Sequence, residues 1–225
     1  MLFVHGIQER REIFDFLTDS LPVDIAYENL TLPGHGAGVA EFRSCGQKDW
    51  LAYVESAARK LGKEHERVVF VGHSLGSLIG IKLRREGIAF SDMLLLCCPL
   101  CVRMRARFFK NNLLACLTKG KSDNAYVRTA YEMNAVNAKH PIACLSCVKP
   151  YRELFAMIRE EGRQLPLPMD ARFFFSERDE IVSPKSVMLA RERFFCEPRF
   201  LPDSGHNCFS QLTKGILVDT LKEMI

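Results

Sequence analysis

The chain has 225 residues, 48% of them hydrophobic and 26% charged, which is ordinary globular usage and enough to bury the core of one domain. Lys and Arg number 31 against 27 Asp and Glu, a net charge of +4 that is too mild to point to nucleic acid. The longest nearly apolar run, Met93 to Val102, falls short of the ~20 residues a membrane helix needs.

From the N-terminus, Met1–Val4 runs straight into His5-Gly6 and then Glu9-Arg10-Arg11-Glu12, which is not the pattern of a secretory leader. The nine cysteines are odd in number and show no evenly spaced framework. Together these features lead us to expect reduced thiols in a soluble cytoplasmic protein. Short apolar runs alternate with amphipathic stretches, predicting an α/β fold with a mostly parallel sheet of about six strands flanked by helices. The predicted strands are Leu2–His5, Asp24–Leu30, Arg67–Val71, Met93–Cys98, Arg172–Ser176 and Arg199–Leu201. Several are apolar on both faces and suit the interior of a sheet. Trp50, Val54, Ala57 and Leu61 form one helical stripe, and Leu212, Ile216, Leu217, Leu221 and Met224 another. Between about Leu100 and Pro168 the rhythm breaks into three helical patterns, Arg107–Leu117, Ala125–Asn137 and Leu145–Glu161. We therefore expect a core of residues 1–100 and 169–225, with residues 101–168 as a helical cap over the strand ends, where open α/β sheets place ligand sites.

Chemistry concentrates at Gly72-His73-Ser74-Leu75-Gly76, between a predicted strand and the helical pattern Leu78–Arg85. In that setting G-x-S-x-G reads as a strained turn that lifts a serine hydroxyl clear of the sheet beside a helix N-terminus. A serine needs a base to become nucleophilic. His206, in Asp203-Ser204-Gly205-His206-Asn207, follows the last predicted strand, and a cluster of acids follows the strand before it. Each group thus sits past the C-terminal end of a strand, at the same sheet edge as Ser74. For the acid, Asp179 is preferred because it lies mid-loop. Glu177 is close to its strand and Asp203 too near His206 in sequence, whereas Glu180 stays a serious rival. Gly6 ends the first strand, and the backbone N–H groups of Ile7 and Leu75 are assigned to an oxyanion hole, each worth about 3–4 kcal/mol. His5 and His73 are expected to pack and hydrogen-bond within the turns.

With these residues identified, the sequence resembles the α/β-hydrolase superfamily over nearly all its length, and most of all its small cytoplasmic carboxylesterases and monoacylglycerol lipases. The matching pieces, in family order, are Phe3-Val4-His5-Gly6, Leu32-Pro33-Gly34-His35-Gly36, Gly72-His73-Ser74-Leu75-Gly76, Arg178-Asp179-Glu180-Ile181-Val182 and Ser204-Gly205-His206-Asn207. The resemblance implies Ser74 as nucleophile, His206 as base and Asp179, rather than Glu180, as orienting acid. Two departures stand out. The strand bearing His5-Gly6 comes almost at once, implying a sheet without that family's first two edge strands. Ser77 also occupies a place where a third small glycine often packs helix against strand.

Other signals are weaker. The pairs Cys98–Cys101 and Cys144–Cys147 lie much further apart than the ~15–20 residues usual between zinc-binding pairs, so neither a metal nor another cofactor is expected. Cys208 could sense oxidants if exposed, but is expected to pack. From Cys101 to Ser122 there are six basic residues and no acidic one, with Phe108-Phe109 between them. A solvated basic face is the default reading. The alternatives are attraction of an anionic substrate, or transient contact with an anionic lipid surface while Phe108 and Phe109 touch an acyl chain. The expected activity is hydrolysis of a short-to-medium acyl ester or monoacylglycerol through an acyl-serine intermediate. A triad-using lyase, a thioesterase acting on an anionic substrate and a non-catalytic binding module are the alternatives.

Overall fold

A computed structural model of the chain describes residues 1–136 and 146–225. Six strands form one parallel sheet: β1 (Leu2–Val4), β2 (Glu28–Leu30), β3 (Val69–His73), β4 (Asp92–Leu96), β5 (Ala171–Ser176) and β6 (Arg199–Leu201). Their order is β2-β1-β3-β4-β5-β6. The chain runs outward from β1 to β2, crosses back to β3 on the other flank of β1, then steps to β6. That reversal sets the topological switch point between β1 and β3, where open parallel sheets form a crevice at the strands' carboxyl ends.

Alternate strand residues feed two separate cores, the outcome expected for strands apolar on both faces. On one face Leu2, Val4, Phe70, Met93, Leu95, Phe173 and Phe175 pack with α3 (Gln47–Glu64), α4 (Leu75–Arg85), α7 (Val148–Glu161) and α8 (Lys185–Phe194). On the other, Phe3, Val69, Val71, Leu94, Leu96 and Phe174 pack with α1 (Asp15–Thr18) and α9 (Gln211–Lys222). Two helices of the segment after β4, α5 (Ala106–Thr118) and α6 (Ala125–Glu132), pack on each other. α7 instead lies against α3, α4 and the short α2 (Val39–Ser44), and its Leu154 and Met157 join the first core.

Several boundaries differ from expectation. β2 covers only Glu28–Leu30 of the predicted Asp24–Leu30, because three-residue β1 pairs with those positions alone. β3 runs on to His73 and α4 starts at Leu75, so strand and helix meet at Ser74. β4 stops at Leu96, since Cys97 takes a positive φ of 49°. In α9 Leu212 is exposed; Thr213 is enclosed in its place, its hydroxyl donating to the Pro202 carbonyl at 3.0 Å. The predicted helices Ala125–Asn137 and Leu145–Glu161 are observed as Ala125–Glu132 and Val148–Glu161; Asn137 and Leu145 lie outside the described residues.

Candidate active site

Ser74 occupies the single residue between β3 and α4, with φ 51° and ψ −114°. A side chain other than glycine's is strained there, and such strain persists only where the surroundings impose it. They do: the Ser74 N–H donates to the Leu96 carbonyl at 2.9 Å. α4 also presses so closely on β1 that a Cβ at Gly76 would lie 1.9 Å from the Val4 carbonyl oxygen. Ser77 fits at its small-residue position because its hydroxyl donates to the Gly72 carbonyl at 2.8 Å.

His206, in the loop after β6, brings Nε2 to 2.9 Å from the Ser74 Oγ, and its Nδ1 lies 2.9 Å from Asp179 Oδ2. Asp179 comes from the loop after β5, and its other oxygen accepts the N–H groups of Ile181 and Val182, both at 2.8 Å. Glu180 turns the other way: its Oε2 accepts the backbone N–H of His206 at 3.2 Å, and Arg107 stands 3.9 Å away. Glu177 and Asp203 are exposed. All three residues of the Ser74–His206–Asp179 chain are buried. Burial works against charge on both His206 and Asp179, but their mutual attraction and hydrogen bond prevail. The imidazole is left more basic than ordinary histidine, and the Asp179 carboxyl below its usual range. Burial pushes Glu180 the other way, upward.

The loop after β1 faces Ser74 across the switch point. Its N–H groups are fixed on both sides of Ile7: Gly6 donates to Glu9 Oε2 at 2.6 Å and Gln8 to His35 Nε2 at 3.0 Å. His5 anchors the same loop, with Nδ1 2.8 Å from the Gly6 carbonyl and Nε2 accepting the Leu32 N–H at 3.0 Å. Both histidines act as acceptors at Nε2, consistent with burial lowering both, His35 to about 3. The Ile7 N–H bonds no described group, and the Leu75 N–H is the first of α4, where helical N–H groups lack partners within the helix. Sequence reasoning missed Glu9. It is 1% exposed and lies 2.7 Å from His73 Nδ1.

A cavity of about 310 Å³ opens on Ser74 and His206. Its apolar wall includes Val102, Met104, Phe108, Phe109, Ile181 and Phe155, and no Lys or Arg lines it among the described residues. Among the described residues, one cluster of possible metal ligands, His73, Cys97 and His206, has its ligand atoms within 4.8 Å of one another, and its two histidines border the cavity. Its histidine nitrogens all face hydrogen-bond partners already, so the cluster suits proton handling better than coordination. The described cysteines are unpaired thiols; Cys144 of the second C-x-x-C pair lies outside the described residues. Cys208 is half-buried on the cavity wall, and burial raises its thiol. No helix of the described residues is long and apolar enough to cross a membrane.

Comparison with known proteins gives the same architecture. The sequence profile described as the alpha/beta hydrolase family matches residues 1–213. A search of curated protein sequences returned no match. Among solved structures, the chain is similar to one from a study of LipS and LipT, two metagenome-derived lipolytic enzymes, at 18% identity and a TM-score of 0.67, covering 99% of this chain and 91% of that one. A soluble variant of monoglyceride lipase from Saccharomyces cerevisiae, in complex with a substrate analog, aligns at 16% identity and a TM-score of 0.64, covering 99% and 84%. A mutant of the N-acyl homoserine lactonase AidH, complexed with N-hexanoyl homoserine lactone, aligns at 12% identity and a TM-score of 0.64, covering 99% and 88%. Likeness at these identities is a likeness of fold.

Proposed function

The chain belongs to the alpha/beta hydrolase family, and on that footing we propose that it is a serine esterase acting on neutral esters with an apolar acyl chain. The observation that carries the reading is the imidazole of His206, held 2.9 Å from both the Ser74 hydroxyl and the Asp179 carboxylate. His206 Nε2 takes the Ser74 proton as Oγ attacks the ester carbonyl. The electron pair displaced onto the carbonyl oxygen is received by the N–H groups of Ile7 and Leu75. His206 then gives its proton to the departing alkoxide, leaving an acyl-Ser74. Water, deprotonated by the same nitrogen, attacks the acyl carbon and releases the acid and the serine. No step calls on a cofactor.

The cavity supports a neutral substrate over an anionic one. Its wall carries aromatic and aliphatic groups, and two carboxyl groups, Glu9 and Glu180, lie beside the reacting centre. An anionic thioester, or the polycarboxylate substrate of a lyase, would find no Lys or Arg to clamp it there among the described residues. Carboxylic esters, including monoacylglycerols and the cyclic esters of lactones, fit the same chemistry.

The partner reading extends to lipid surfaces. Phe109, Leu113 and Leu117 recur every fourth residue of α5 and are 58%, 57% and 71% exposed. Arg103 and Arg105 precede that helix, Lys110 lies within it, and Lys119 and Lys121 follow it, all exposed. An apolar stripe with basic neighbours suits an acidic bilayer surface, and Phe109 also borders the cavity. The test of the catalytic reading is a panel of p-nitrophenyl esters offered to the parent and to Ser74→Ala. Hydrolysis by the parent alone supports it; equal rates defeat it.

A further inference from the structure

We propose that Glu9 and His73 are positioning residues that lock the loop carrying Ile7 to the loop carrying His206. The kinetic test of this inference rests on the esterase reading, whereas its spectroscopic test does not.

The triad makes no use of Glu9, yet this acid is enclosed in the turn after β1, and His73 is fully enclosed beside it. Charged groups are tolerated in such places only when paired and hydrogen-bonded. Glu9 Oε2 accepts the Gly6 N–H at 2.6 Å and faces His73 Nδ1 at 2.7 Å. The opposite nitrogen of His73, Nε2, lies 2.9 Å from the His206 carbonyl oxygen. A carbonyl cannot donate, so Nε2 must carry a proton. At Nδ1 a second proton faces the carboxylate, making His73 an imidazolium paired with Glu9.

Four groups are thereby strung together: the Gly6 N–H, the Glu9 carboxylate, the His73 ring and the His206 carbonyl. The triad joins Ser74 to the loops after β5 and β6 but leaves the loop after β1 untouched. Glu9 and His73 supply that missing connection. The Ile7 N–H shares its peptide plane with the Gly6 carbonyl, which His5 Nδ1 holds at 2.8 Å. Glu9, by holding the Gly6 N–H at 2.6 Å, pins the plane before it, so that together they set the Gly6 torsions that aim the Ile7 N–H. The contact is close: a Cβ at Gly6 would stand 2.9 Å from Glu9 Oε2 and 3.1 Å from the Ser74 Cβ. The remaining carboxylate oxygen, Oε1, is buried and bonds no described group. An unsatisfied buried oxygen destabilises a fold, and such groups collect at sites where geometry serves function. His5, Cys97, Asp179 and His206 are the other titratable groups around the pair. Burial opposes both charges, yet each partner holds the other ionised, with Glu9 below and His73 above its ordinary value.

The test combines two variants with one measurement on the parent. In steady-state hydrolysis of a short p-nitrophenyl ester, Glu9→Ala is expected to lower kcat about ten- to a hundredfold, with KM within about threefold, because a misaimed donor weakens only the transition state. Glu9→Gln still offers an oxygen to the Gly6 N–H and should recover part of that loss. In ¹⁵N-histidine NMR of the parent near pH 7, the His73 signal, assigned by its disappearance in His73→Gln, should report both ring nitrogens protonated. A folded Glu9→Ala with kcat within twofold of an active parent would overturn the proposal, as would equal losses in the two variants or a neutral His73. If Glu9→Ala does not fold, Glu9→Gln and the NMR signal decide. A parent inactive on every ester would count against the esterase reading, and the His73 signal would still decide the pairing.

Discussion

His206 Nδ1 lies 2.9 Å from Asp179 Oδ2, and the other oxygen of that carboxylate is held by two backbone N–H groups at 2.8 Å. The acid is thereby fixed in position as well as in charge. An immobile carboxylate holds the proton on Nδ1 and leaves Nε2 bare towards Ser74, the tautomer that general-base catalysis requires.

This arrangement sets a pH dependence. Burial alone would depress His206, but Asp179 holds it above the ordinary 6.5. On the esterase reading only the neutral ring can take the Ser74 proton, so activity should fall away below the raised value and grow as pH climbs through it. The acid limb of kcat/KM is expected above pH 6.5. In Asp179→Asn the raising charge is gone and burial dominates, so the limb should move to lower pH while kcat falls by roughly a thousand- to ten-thousandfold. A parent limb at or below 6.5 would contradict this reading.

Gly76 tests the fit of α4 on β1. A Cβ there would lie 1.9 Å from the Val4 carbonyl, a backbone atom that cannot swing aside. Gly76→Ala should destabilise the fold by about 3 kcal/mol or more, read as a lower midpoint in urea. An unchanged midpoint would mean that the two elements sit further apart than described.

The apolar wall predicts acyl-chain selectivity. Each methylene buried is worth about 0.8 kcal/mol, roughly fourfold in kcat/KM. Phe108→Ala enlarges the cavity and should shift the optimum of an ester series towards longer chains. Monoesters ending in a free carboxylate should be poorer substrates than their methyl-capped counterparts. Preference for the carboxylate would point back to an anionic substrate.

The stripe on α5 predicts adsorption to acidic membranes. The parent should sediment with vesicles containing phosphatidylserine at low salt and less so at about 0.5 M salt, where charges are screened within a few ångströms. Replacing Leu113 and Leu117 by Ser should abolish sedimentation and leave hydrolysis of a soluble ester within about twofold. Equal sedimentation of parent and variant would remove the membrane from this account.

The fold and the convergence of Ser74, Asp179 and His206 were legible because each rests on a local signal: apolar runs for strands, two glycines around a serine, a loop acid and a loop histidine past successive strands. Position along an element was less legible. Leu212 reads as part of a helical stripe, yet Thr213 is enclosed because Ser204 and Pro202 offer its hydroxyl partners from another loop. The short β2 reflects the length of β1, which its own residues do not encode. Where the helices after β4 would pack depends on contacts distant in sequence, and α7 settles on α3 and α4. Glu9 gave no signal, since an acid between Gln8 and Arg10 reads as a solvated turn. Only the proximity of His73, 64 residues away, gives it a part to play.

The most direct test is covalent labelling with a fluorophosphonate, followed by peptide mass spectrometry. An adduct confined to the peptide bearing Ser74, formed by the parent and absent from His206→Ala, is the predicted result. An unlabelled parent that is folded, or one modified equally with and without the imidazole, would contradict the claim that His206 activates Ser74.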